Sequence, residues 1–156
     1  MRRMRLLAAV LAVAATSSLV PAAAVASTTY MLTGYEVNPD PATFVGSLSG
    51  QVGIWQAAVR HDPLDYTGTT AITGGSFTIT TFLPGKQATG TIDSGGTIVA
   101  GPVSSSNGFS CTQTFTLSGT LNGGSGSYSG VLTHYGFRFG DHCNAVTASF
   151  RGQTTI

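Results

Sequence analysis

The side chains able to do chemistry in this chain are few and scattered. His61 stands beside Asp62, His142 beside Asp141, and His134 sits inside an apolar run. An imidazole near a carboxylate is the smallest acid–base unit, and imidazoles are common metal ligands. No two of the three histidines have metal-ligand spacing on one face of a strand, so neither a metal nor a cofactor is expected. A hydrolase nucleophile needs a Gly-x-Ser-x-Gly elbow between a strand and a helix, and no such pattern occurs. The Gly-rich residues 119–130 lack the spacing and the Lys of a phosphate-binding loop. No catalytic set is identified.

A second group of residues suits recognition. Glu36 is the only Glu of the chain and lies in an apolar stretch. Gln113 is the one polar residue on the apolar face of its run, and Arg138 lies opposite a row of aromatics. Isolated polar groups among aromatic walls orient small molecules in pockets. Glu36, Gln113 and Arg138, with Tyr35, Trp55, Tyr128 and Tyr135 as walls, are therefore the expected ligand-binding residues. The plainer alternative is that Gln113 bonds nearby backbone while Glu36 and Arg138 are solvated.

These residues are positioned by β-structure. In 109–118 the alternate residues are Phe109, Cys111, Gln113, Phe115 and Leu117, and the intervening ones are all Ser or Thr. That period of two describes one buried and one hydroxyl-rich face. Similar patterns occupy 30–37, 44–60, 67–73, 76–83, 87–93, 97–100, 131–139 and 144–152, mostly separated by short Gly-containing turns. In 44–60, Leu48, Val52 and Ile54 share one face and Trp55 takes the other. In 131–139, Val131, Tyr135, Phe137 and Phe139 share the apolar face. Short turns imply an antiparallel meander, and closing it removes its sticky edges. The expected fold is all-β: an antiparallel barrel of about eight strands, with a β-sandwich as the alternative. Its core should hold Leu48, Val52, Ile54, Phe77, Ile79, Phe115, Leu117, Tyr135, Phe137 and Phe150, and Tyr128 should close one end.

The two cysteines fit the same frame. Cys111 opens one strand and Cys143 follows the end of the next, so an antiparallel pair brings them to one end of the sheet. A Cys111–Cys143 disulfide is expected, worth about 3–4 kcal/mol on the chain-entropy argument. A reactive thiol at Cys143, beside His142, is the competing reading.

Residues 1–26 read as a secretory signal peptide. Arg2, Arg3 and Arg5 precede an apolar run, and Ala24-Val25-Ala26 has the small-x-small form of a cleavage site before Ser27. The expectation is a secreted, extracellular protein whose single domain is 27–156, with no membrane attachment after cleavage. Three of the seven basic residues lie in the leader, leaving Arg60, Lys86, Arg138 and Arg151 against six acidic side chains, a balance of −2. So small and scattered a positive charge excludes a nucleic-acid footprint.

The run Gly-Gly-Ser-Gly-Ser-Tyr-Ser-Gly, residues 123–130 between two strand patterns, resembles the Gly-Gly-Thr-Gly-x-Tyr-x-Gly loop of barrels related to allene oxide cyclases and dirigent proteins. The similarity extends through Gly75-Ser-Phe-Thr-Ile and Ala88-Thr-Gly-Thr-Ile over roughly the last eighty residues. Ser125 replaces the usual Thr, Val131 stands where a small residue is common, and no catalytic residue can be matched by position. The resemblance implies a barrel that holds a reactive substrate in a folded shape. Three functions follow as expectations: a barrel binding a small apolar molecule, a cyclase- or dirigent-like enzyme, or a protein-binding or inhibitory domain using loops such as 61–66. A cavity lined by aromatics and by Glu36, Gln113 or Arg138 favours the first two, whereas a solid core leaves the third.

Overall fold

The alternation is realised as nine antiparallel strands in a computed structural model that describes residues 27–105 and 108–156. The expected signal peptide lies outside the described residues. The strands are β1 (Thr29–Pro39), β2 (Ala42–Ser49), β3 (Gly53–His61), β4 (Thr69–Thr81), β5 (Lys86–Ile92), β6 (Gly96–Ser105), β7 (Ser110–Leu121), β8 (Gly126–Phe139) and β9 (His142–Thr155). Eight of them close in the order β3-β2-β1-β9-β8-β7-β6-β4 and back to β3. The fold is thus an antiparallel eight-stranded barrel with one extra strand. Closure leaves no barrel strand as a long free edge, and only β5 keeps one side largely unpaired.

The extra strand exists because β4 changes partner along its length. Its first half pairs with β6 through Thr69–Ile72, and its second with β5 through Gly75–Thr81. The switch falls at Gly74, whose φ of +137° is open to glycine and not to other residues. β5 rejoins the barrel wall only where Ile92 meets Leu121. The sequence patterns at 67–73 and 76–83 are therefore one kinked strand rather than a hairpin. The reverse holds at 44–60, where Gly50, at φ +79°, turns the chain between β2 and β3.

That turn resets the alternation. Leu48 faces inward on β2, but on β3 the inward set is Gly53, Trp55 and Val59. Val52 and Ile54, expected in the core, are exposed, and Trp55 is buried. A one-residue slip moves every side chain of a strand to the other face. A second correction concerns β8. Within 131–139 its inward residues are Leu132 and His134, while Tyr135, Phe137 and Phe139 lie exposed on the outer wall. The other expected core residues, Leu48, Phe77, Ile79, Phe115, Leu117 and Phe150, are buried.

Inward glycines make room for the large inward rings. A Cβ on Gly34 would lie 2.8 Å from Trp55 Cζ2, and one on Gly46 would lie 2.7 Å from its Nε1. Tyr128 lies over Gly119, its cross-strand partner, and Phe150 over Gly130 and Gly152. Trp55 also donates from Nε1 to the Thr33 carbonyl at 3.0 Å, so the ring is anchored as well as packed. Phe150 packs its ring against both Trp55 and Phe44, at centroid distances of 5.3 and 5.6 Å.

Most of the Gly-rich stretch is strand, and its turn is 122–125. Asn122, Gly123 and Gly124 all have positive φ. Asp93, from the turn after β5, accepts from the amides of Gly123 and Gly124 and from Thr120 Oγ1, each at 2.9 Å. Those donors, led by the Gly123 amide, hold the Asp93 carboxyl below its ordinary value. Cys111 and Cys143 form the expected disulfide, at the opposite end of the barrel from this turn.

Candidate functional site

Among the described residues, two cavities lie in the barrel interior. One, of about 60 Å³, lies toward the Gly-rich turn between Trp55, Phe77, Leu121, Tyr128 and Phe150. The other, of about 130 Å³, lies toward the disulfide end and contains Glu36 and His134. Phe44, Val59 and Leu117 line both and form the wall between them.

Each polar member of the larger cavity is placed by strand alternation. Glu36 follows Leu32 and Gly34 on the inward face of β1, and His134 follows Leu132 on that of β8. His134 Nε2 stands 3.3 Å from Glu36 Oε2, with only 9 % and 12 % of the two side chains accessible. The distance suits an ion pair, yet the angle is poor: among the described residues, neither ring nitrogen of His134 has a hydrogen-bond partner. The Phe115 ring lies 4.7 Å from the imidazole, tilted by 54°. Ala42, Ile98 and Leu132 complete an otherwise apolar wall.

The loop 62–68 covers this end. Leu64 and Tyr66 pack onto the core and line the cavity. Tyr66 meets Phe115 edge-on and His142 at a centroid distance of 4.4 Å. The loop is tied by Asp65, whose amide donates to Thr70 Oγ1 at 2.7 Å and whose carboxylate accepts from the Thr67 amide at 2.9 Å. Donation from the Thr67 amide, and then from its hydroxyl, holds the Asp65 carboxyl below its usual range. His61, at the cavity rim, is engaged through Nδ1 with the Asp62 carbonyl. His142 contacts Asp141 at 3.1 Å, and this contact lowers the Asp141 carboxyl.

The expected ligand-binding residues separate into four groups. Glu36 lies in the larger cavity; Trp55 and Tyr128 line the smaller. Tyr35, Tyr135 and Arg138 are on the outside of the barrel, where the Arg138 Nε donates to the Gly140 carbonyl. Gln113 is buried but faces neither cavity. Its amide donates to the carbonyls of Tyr66 (2.7 Å) and Gly101 (3.1 Å), and its Oε1 accepts from the Cys143 amide (3.1 Å). It therefore joins three segments, as the backbone-bonding alternative describes. His134 was legible as an acid–base candidate but not as the partner of Glu36. Leu64 and Tyr66 carried no signal beyond sitting in a loop.

Tyr128 closes the Gly-rich end, as its place in the sequence suggests. Burial, and then the nearby Asp93 charge, push its hydroxyl up to about 12. Among the described residues that hydroxyl has no hydrogen-bond partner. No cluster of three or more His, Cys, Asp or Glu side chains able to hold a metal occurs among the described residues.

No family description, curated protein or solved structure matches this chain.

Proposed function

We propose that the protein is an exported binding barrel that holds one small, largely apolar molecule in the cavity beside Glu36 and His134. The observation that carries this reading is a buried acid–imidazole pair set in an apolar chamber. Burying such a pair without full hydrogen bonding costs stability, and that cost is best explained by use. Size limits the ligand. Drug-sized pockets run to about 300–1,000 Å³, whereas a cavity of roughly 150 Å³ holds a single benzene. At about 130 Å³, the chamber suits a body of one small ring or a short chain. Export is supported by the leader-like residues 1–26 and by the disulfide, since disulfides persist in oxidising compartments. Native mass spectrometry of protein recovered from culture medium tests both parts. A mass starting at or near Ser27 with a small adduct is expected. A chain retaining Met1 in the membrane fraction removes the export, and an adduct-free barrel that binds no small probe removes the ligand.

A second reading, a cyclase- or dirigent-like enzyme, draws on the same pair and on the Gly-Gly-Ser-Gly-Ser-Tyr-Ser-Gly segment. Glu36 and His134 in contact can pass a proton to and from a held substrate. Shaping a reactive substrate needs few ionisable groups, because orientation supplies much of the rate. Turnover abolished by Glu36→Gln, with binding retained, separates this reading from simple binding.

A further inference from the structure

We propose that the larger cavity selects for a hydroxyl group: its ligand is a small apolar alcohol seated with the oxygen between Glu36 and His134. This rests on the binding reading above and specifies the head group. A carboxylate offers about four acceptor sites, and the contact made by that of Glu36 among the described residues is the single off-angle approach of His134 at 3.3 Å. The imidazole presents at least one N–H and has no acceptor of good geometry among the described residues. The site therefore lacks a donor for Glu36 and an acceptor for His134. A hydroxyl provides both at one atom. A carbonyl only accepts, an ammonium only donates, and a carboxylate only accepts while bringing a second negative charge to Glu36. No Lys or Arg lines the chamber to offset that charge. Apart from His61 at the rim and Tyr66 in the covering loop, the remaining walls, among them Phe44, Val59, Ile98, Phe115, Leu117 and Leu132, offer hydrocarbon to the rest of the ligand.

The test holds the body constant and varies the head. Cyclopentane, cyclopentanol, cyclopentanone, cyclopentylamine and cyclopentanecarboxylate are titrated into the purified protein and followed by NMR, reading the His134 side-chain nitrogens and the Leu132 methyls. Cyclopentanol is expected to bind about tenfold more tightly than cyclopentane, the return on one hydrogen bond to a charged group. Ketone and amine should fall between them, and the carboxylate should bind at least tenfold more weakly than cyclopentane. The His134 nitrogen shifts should move with cyclopentanol and stay in place with cyclopentane. Glu36→Gln, which keeps the side-chain volume, should reduce the alcohol's advantage to about threefold or less while leaving cyclopentane unchanged. Equal affinity for cyclopentane and cyclopentanol overturns the hydroxyl preference and leaves the binding barrel standing. Preferred binding of the carboxylate also overturns it. If no member of the series perturbs the chamber, the binding reading falls, and this inference with it.

Discussion

Gln113→Met removes three hydrogen bonds and almost no volume. The amide of Gln113 is the shared partner of the Tyr66 and Gly101 carbonyls and of the Cys143 amide. The side chain is 1 % exposed, so water cannot replace what is lost. Each buried peptide group left unpaired costs about 1–3 kcal/mol. The thioether buries well where the amide did not, returning roughly 1–2 kcal/mol. Three orphaned groups against that return give a net loss of about 3 kcal/mol, a large share of the 5–15 kcal/mol that holds a typical domain. Urea denaturation with the disulfide intact measures it, and the midpoint should fall with little change in slope. The amide of Cys143 should exchange faster in the variant, which ties the loss to the named bond. A loss below about 1 kcal/mol, with Cys143 still protected, would refute the claim that Gln113 knits the loop 62–68, β6 and β9 together.

Three further outcomes follow from the same reasoning. Tyr128 has its folded-state value raised above its unfolded one, so its contribution is complete below pH 10 and is lost as pH rises through about 12. Absorbance titration of the phenolates should show one of the five tyrosines ionising last, together with unfolding, and Tyr128→Phe should move the alkaline midpoint upward. Asp93 is held below its ordinary value, so its contribution is present above the unfolded value of 3.8 and is lost as pH falls through the lower folded one. Asp93→Asn should speed amide exchange at Gly123 and Gly124 while sparing Cys143; unchanged exchange would mean the turn holds itself. Cys111→Ala/Cys143→Ala should cost about 3–4 kcal/mol in the same denaturation assay, and free-thiol labelling of the unreduced, unfolded wild type should give no signal.

How much the sequence told depends on what set each feature. β7 was readable from Cys111 to Leu117, because its apolar residues alternate with Ser and Thr and the interior takes every second residue, but Phe109, expected on the same buried face, lies exposed before the strand begins. The disulfide was readable because antiparallel pairing alone brings its cysteines together. β8 was misread because its largest side chains are on the outside. The interior of a small barrel is limited, and at Gly130 its space is already taken by Phe150 from the neighbouring strand. The true signal there was Gly130, an inward glycine that marks where the Phe150 ring must fit. Val52 and Ile54 were misplaced for a different reason. Alternation carries across a strand but not across a turn, and 44–60 was read as one run although Gly50 turns the chain within it. Glu36 was legible because it is a lone acid in an apolar run. Its pairing with His134 was not, since the two are brought together only by β1 and β8 both flanking β9.

The wall between the two chambers gives the barrel an adjustable capacity. Three side chains, Phe44, Val59 and Leu117, from three different strands, keep the polar room and the greasy room apart. None of them makes a side-chain hydrogen bond, and trimming any one leaves the strand ladders intact. Shortening Leu117 would remove one of the three members of that wall, between the acid and imidazole on one side and the indole of Trp55 on the other. The capacity of this interior is thus set by a partition that point substitutions can move, independently of the acid and imidazole at one end.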